Sequence, residues 1–289
     1  QEFPQVKLLK FTENYGFAEG YNRAIEQTGY KYTILLNSDV ATSDNWLAPL
    51  YEYMEAHLEV GACQPKLLSY RDPEMFEYAG ASGGFIDKNG YPYCRGRLFA
   101  TVEKDNHQYD DIISVFWATG AALMVRSEVY LSVGGLDKDF FAHMEEIDLC
   151  WRLRARGRRI VCVPDSVVYH VGGATLNKSN PRKTFLNFRN NLLMLYKNLP
   201  EKELSAVMMC RALLDYVAAA KFLLSGNMGD FKAVVAARRE FERIKGFYAA
   251  ARKENLGKAV SDDIPERVKF SILWQYYAKG RKFFSNLSI

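Results

Sequence analysis

Strand-like and helix-like segments alternate along the first 200 residues, and beyond Pro200 the pattern is helical only. That alternation constrains the fold most, because strands separated by helical stretches pack as a sheet covered by helices. VKLLKF (6–11), YTILLN (32–37), GACQPKLL (61–68), FWATGAALMVR (116–126), RIVCVP and VVYHV read as strands. AEGYNRAIEQ, SDNWLAPLYEYMEAHL (43–58), SEVYLSVGG, EEIDLCWRLRARG and TFLNFRNNLLMLYKNLP read as helices. Residues 70–112, rich in Gly, Tyr, Pro and charge, read as an irregular excursion with a hairpin at KNGYP. The expectation is an α/β unit over 1–199 and a helical tail over 200–289.

Charge is divided the same way. The tail carries 16 Lys and Arg against 10 Asp and Glu, and the first 200 residues carry 22 against 24. A slightly acidic body argues against a nucleic-acid partner. The basic, aromatic tail suits an anionic membrane surface or a second copy of the chain. The helix LSAVMMCRALLDYVAAAKFLLSG (204–226) is broadly apolar and is broken by Arg211, Asp215 and Lys221. Five cysteines, odd in number and without CxxC spacing, read as reduced, small apolar residues. There is no uncharged apolar run of about 18 residues and no signal peptide. The expected location is cytoplasmic, at most peripheral at the inner membrane face.

Three places carry candidate chemistry. Asp39 lies just past the apolar run YTILLN, in YTILLNSDV, and open α/β sheets bind ligands beyond the carboxyl ends of their strands. A carboxylate there holds Mg²⁺ or Mn²⁺ on a nucleotide diphosphate, or else merely caps a turn. Glu145, Glu146 and Asp148 open a helix whose other end is rich in arginine, as the helix dipole favours. Neighbours on a helix diverge by about 100°, so at most one of the three can serve as a base in a cleft. His170 closes a strand and precedes two glycines that permit close backbone approach. It is either a ligand or a structural histidine.

NYGFAEGYNRAI, LLNSDV, TGAALMVR, GGLDKDFFAHMEEIDLCWRLRARG, VVYHVGGAT and FRNNLLMLYKN occur in this order. Over residues 5–199 the chain resembles the family-2 glycosyltransferases of GT-A fold, in the bacterial rhamnosyltransferase-like branch. The resemblance implies a Rossmann-like, mostly parallel sheet flanked by helices. It implies inverting transfer of a sugar, rhamnose in that branch, from a nucleotide-sugar to a saccharide or lipid-linked hydroxyl in cell-surface polysaccharide synthesis. It assigns the metal to Asp39 and His170, with Asn37 standing where other members carry a first Asp. It assigns the base to Glu146, with Asp148 as rival. Asn14, Gly16 and Asn22 match donor-side positions, and Thr119 and Gly120 match acceptor-side positions, where Trp117 could stack on a sugar. Trp117 and Trp151 read equally well as core. Arg189 and Asn190 either make salt bridges or close over the diphosphate.

The resemblance also implies that two opening strands of the family precede VKLLKF, which matches the third. With those strands absent, VKLLKF is expected to pair with YTILLN rather than stay detached or leave the gap to another chain. Poor nucleotide-sugar binding by residues 1–289 is the corollary. Two rivals remain at this level: a sugar nucleotidyltransferase, and an inactive module binding a membrane or partner through its tail.

Overall fold

The computed structural model describes residues 3–172 and 180–287. Its strands are β1 (Tyr32–Leu36), β2 (Val40–Thr42), β3 (Val60–Ser69), β4 (Gly84–Ile86), β5 (Pro92–Cys94), β6 (Arg97–Leu98), β7 (Thr101–Val102), β8 (Ile113–Ser114), β9 (Ala122–Arg126) and β10 (Arg159–His170). Its helices are α1 (Gly16–Thr28), α2 (Leu47–Ala56), α3 (Ser127–Ser132), α4 (Glu145–Ala155), α5 (Pro181–Asn198), α6 (Glu201–Leu224), α7 (Met228–Ile244) and α8 (Ala249–Gly257).

The main sheet runs β1-β9-β3-β10-β2, with β8 beside β10. It is mixed rather than mostly parallel: β3 and β10 pair in parallel, and the other ladders are antiparallel. The cause is the excursion after β3. It returns the chain to the edge where β3 ended, so β9 must run back against its neighbours. β1, β3 and β10 nevertheless point the same way, and their carboxyl ends share one edge. β3 is buried along almost its whole length, as a central strand should be.

RIVCVP and VVYHV form one strand, β10, not two. Val163 faces Pro65 and Val167 faces Lys66, so Pro164, Asp165 and Ser166 bulge out of the ladder. Prolines lack the N–H a ladder needs, and a bulge at Pro65 and Pro164 accommodates both. The Ser166 hydroxyl then donates to the Trp46 carbonyl.

VKLLKF is not a strand. Residues 6–11 are exposed and join no sheet, so pairing with YTILLN does not occur. β1 takes its ladder from β9 instead, over all five of its residues. On the free edge the Tyr21 hydroxyl, from α1, donates to the Leu36 carbonyl and accepts from the Leu36 N–H, each at 3.0 Å. A side chain thus satisfies the groups that a neighbouring strand would have used.

The excursion folds into a small sheet, β4-β5-β6-β7, whose first hairpin turns at Asp87–Tyr91. Gly90 in this turn has φ +81°, and a side chain there would strike Leu195 of α5. The tail folds back onto the same turn. Arg211 donates to the Asn89 carbonyl, and the Ile272 N–H donates to Asp87. α6 is built inside out. Arg211 and Asp215 are buried and meet each other and Arg238, while Met209, Leu213, Tyr216, Val217 and Leu224 face solvent. The residues that interrupt its apolar sequence are the ones that dock it.

Candidate active site

The register of the sheet brings Asp39 to His170. β2 pairs with the end of β10 so that Val40 lies opposite His170, and the Val171 N–H donates to the Asp39 carbonyl at 3.0 Å. The side chains follow: His170 Nε2 lies 3.2 Å from Asp39 Oδ1 and 3.4 Å from the Asn37 amide nitrogen. On the opposite ring nitrogen, Nδ1 lies 3.3 Å from Glu77 Oε1. Glu77 is buried, comes from the excursion and has no sequence signature. Gly172, at φ +65°, passes so close that a Cβ would lie 3.1 Å from the Glu77 carboxylate. The second glycine, Gly173, lies outside the described residues. Burial opposes a charge on His170, but Glu77 and Asp39 outweigh it and raise the ring's pKa.

One carboxylate oxygen and one imidazole nitrogen at this separation fit a single small divalent ion. Glu77 would fix the ring from behind, as outer carboxylates do at metal-binding histidines. Among the described residues no three His, Cys, Asp or Glu side chains form a cage. Water and substrate phosphates complete such a shell in the usual Mg²⁺ arrangement.

Glu146 stands at the start of α4. Three non-glycine residues before the helix, Phe141, His143 and Met144, have φ between +65° and +73°. Such left-handed residues cost roughly 1–3 kcal/mol each and need outside support. α5 supplies it. Asn190 Nδ2 faces the carbonyls of Phe140, Ala142 and His143 at 2.8–2.9 Å, and Arg189 donates to those of Asp139 and Phe140. These two residues brace the loop rather than pair with acids. Glu146 is partly exposed as a residue, yet its Oε2 is sealed and has no partner, as has that of the buried Glu145. Burial raises both carboxyl pKa values, and the Glu146 charge pushes Glu145 further.

The two clusters meet through one turn. The Asn37 N–H donates to the Ala121 carbonyl at 3.0 Å. A Cβ added to the adjacent Gly120 would sit 3.7 Å from Glu146 Cβ. Asp39, His170 and Glu146 therefore share the carboxyl edge of β1 and β10. Residues 1–186 match the family described as Glycosyltransferase like family 2. The chain belongs to that family.

Its fold is shared with GalNAc-T7, a GT-A enzyme solved with UDP, GalNAc and Mn²⁺. The TM-score is 0.57 at 13% identity, over 95% of this chain and 45% of that one. N-acetylglucosaminyl-diphospho-decaprenol L-rhamnosyltransferase of Mycobacterium tuberculosis is 28% identical over 188 residues, 59% of this chain and 60% of that protein. Rhamnosyltransferase WbbL of Escherichia coli K12 is 24% identical over 159 residues, 52% of this chain and 58% of that protein. The chain thus spans about three fifths of the length of these relatives.

Several residues that the family resemblance singles out serve the scaffold of this family member. Asp148 is fully buried and holds Arg152, Lys197 and Asn198 at 2.8–3.0 Å. Burial alone would raise its pKa, but Lys197 and Arg152 outweigh that and lower it. A carboxylate so enclosed cannot take a proton from an acceptor, so Asp148 is removed as the rival base. Trp117 is core, not a sugar platform: its Nε1 donates to the Phe85 carbonyl, and its ring lies on Gly84, leaving no room for a Cβ. Trp151 packs edge-on against Phe116. Thr119 is buried and its hydroxyl accepts from the Ala121 N–H, which leaves Gly120 alone at the site's border. Asn14 accepts from the Gly16 N–H at the start of α1. Asn22 spends its amide on Tyr130 and Leu136. α1 touches the site through Phe17, beside Gly120.

Proposed function

We propose that this chain transfers a sugar, rhamnose by analogy with its relatives, from a nucleotide-sugar to a saccharide or lipid-linked hydroxyl, with inversion, in cell-surface polysaccharide synthesis. The Asp39–His170 pair, with the unpaired Glu146 carboxylate next to Gly120 on the same edge of the sheet, is the observation that carries this reading. Asp39 and His170 would hold Mg²⁺ or Mn²⁺, which when bound neutralises charge developing on the departing diphosphate. Glu77 lies 3.3 Å from Nδ1 and favours the ring's charge from that side. Glu146 takes the acceptor's hydroxyl proton. The oxygen then attacks the anomeric carbon from the face opposite the diphosphate, and the bond to the phosphate oxygen breaks. The expected result with rhamnosyl and other nucleotide-sugars is nucleoside diphosphate release that requires both acceptor and divalent cation. Release unaffected by chelation would defeat the metal assignment. Pyrophosphate release from a nucleoside triphosphate and a sugar phosphate would mark a nucleotidyltransferase instead.

The reading extends to the tail. Among the described residues no helix is long and apolar enough to cross a membrane. The outward face of α6 instead suits the surface of one, with Lys221 lying 5.5 Å from the Tyr277 ring and Trp274 and Tyr277 exposed nearby in sequence. Each basic residue near an anionic surface contributes about 1 kcal/mol. The protein should float with anionic vesicles, less so in high salt, and L213E/V217E should abolish flotation. Concentration-dependent doubling of mass without vesicle binding would mean that a second copy covers this face.

A further inference from the structure

Arg97, at the start of β6, is buried without a carboxylate opposite it. Other interior cations have one: Lys66 meets Asp105, Arg152 and Lys197 meet Asp148, and Arg211 meets Asp215. Arg97 is 8% exposed and makes no ion pair among the described residues. Its Nε donates to the Tyr78 carbonyl at 2.8 Å, its Nη2 lies 3.3 Å from Cys94 Sγ, and the Tyr78 ring packs 4.6 Å from the guanidinium. Nη1 has no partner, yet it is not among the sealed polar atoms. Glu77 favours this charge without reaching ion-pair distance, and a ligand anion at the open Nη1 would add a direct partner.

Its surroundings indicate which anion. Tyr78 follows Glu77, the acid on the Nδ1 side of His170, away from Asp39. Burial raises the pKa of the Cys94 thiol, Arg97 opposes this, and Glu77 and Glu146 both add to it. Arg97 is tied on one side to the residue after Glu77, and on the other through Cys94, which pairs with Gly84, whose N–H donates to the Trp117 carbonyl three residues before the Gly120 that lies against Glu146. The guanidinium is held in a fixed plane with one N–H pair free, which suits a phosphate oxygen.

We propose that Arg97 binds a phosphate oxygen of the acceptor and so selects a saccharide linked through a diphosphate over a neutral glycoside. This rests on Glu146 marking the acceptor side. Calorimetry with inorganic pyrophosphate, on the full chain and without divalent cation, should give binding that R97Q weakens by about tenfold or more. R97K should recover part of it. Unchanged binding in R97Q would overturn the proposal. In kinetics, R97Q should raise KM for a diphosphate-linked saccharide at least about tenfold more than KM for its methyl glycoside. A rise in donor KM instead would assign Arg97 to the leaving diphosphate and overturn it. Should R97Q not fold, pyrophosphate inhibition of the unaltered protein decides: competition with acceptor supports the proposal, and competition with donor alone overturns it. If no donor supports transfer while R97Q still loses pyrophosphate, the transferase reading falls and the anion site stands.

Discussion

Glu146→Gln should lower kcat by about 10²–10⁴-fold, the range that a positioned general base contributes. Gln keeps the shape and hydrogen-bonding reach of Glu but cannot accept the proton. Donor affinity and thermal stability should change little, because Glu146 makes no ion pair among the described residues and its Oε2 is unpartnered. The pH profile offers a second readout. Burial raises the Glu146 pKa above the ordinary Glu value of 4.5, and a base works only when deprotonated. The acid limb of kcat should therefore lie above that value and disappear in the Gln variant. A large loss of donor binding in Glu146→Gln would assign this carboxylate to the metal or to the scaffold.

Asp148→Ala should have the opposite signature. It removes the acid that faces Arg152 and Lys197, leaving Arg152 buried without a carboxylate and Lys197 with Asp137 alone, which costs about 3–5 kcal/mol. For a chain of this size that is a fall in Tm of roughly 5–8 °C. Activity per folded molecule should persist at low temperature. Because the folded pKa of Asp148 lies below its ordinary value of 3.8, its stabilisation is complete above that value. It is lost as pH falls through the folded pKa. The Ala variant should lack this acid-sensitive component. Full stability with abolished turnover in Asp148→Ala would restore Asp148 as the base and displace Glu146. The two variants together separate chemistry from scaffold within one helix.

That separation was not visible in EEIDLCWRLRARG, where the three acids look alike. Helical spacing showed that they cannot all face one cleft; it could not say which one meets Lys197, a residue 49 positions further on. Hydrophobic periodicity records whether a position is turned inward, and so most strands, the helices α1–α5, the KNGYP hairpin and Asp39 at the end of β1 were legible from local pattern. Gly84 beneath Trp117 and Asn190 beneath the left-handed loop were not, because their roles depend on backbone brought close by folding. VKLLKF has strand character, but Tyr21 supplies the hydrogen bonds at Leu36 on the free edge of β1. α6 looked like an apolar helix broken by charge, and its orientation was settled only when Arg211 found Asn89 and Asp215 found Arg238. Glu77 and Arg97 arrive from an excursion with no periodic signal. Sequence alone determined most of the elements and pointed to the candidate metal acid, since both are local; tertiary structure decided which carboxylates are buried in ion pairs and which are left unpartnered, since a charge's role depends on what lies opposite it.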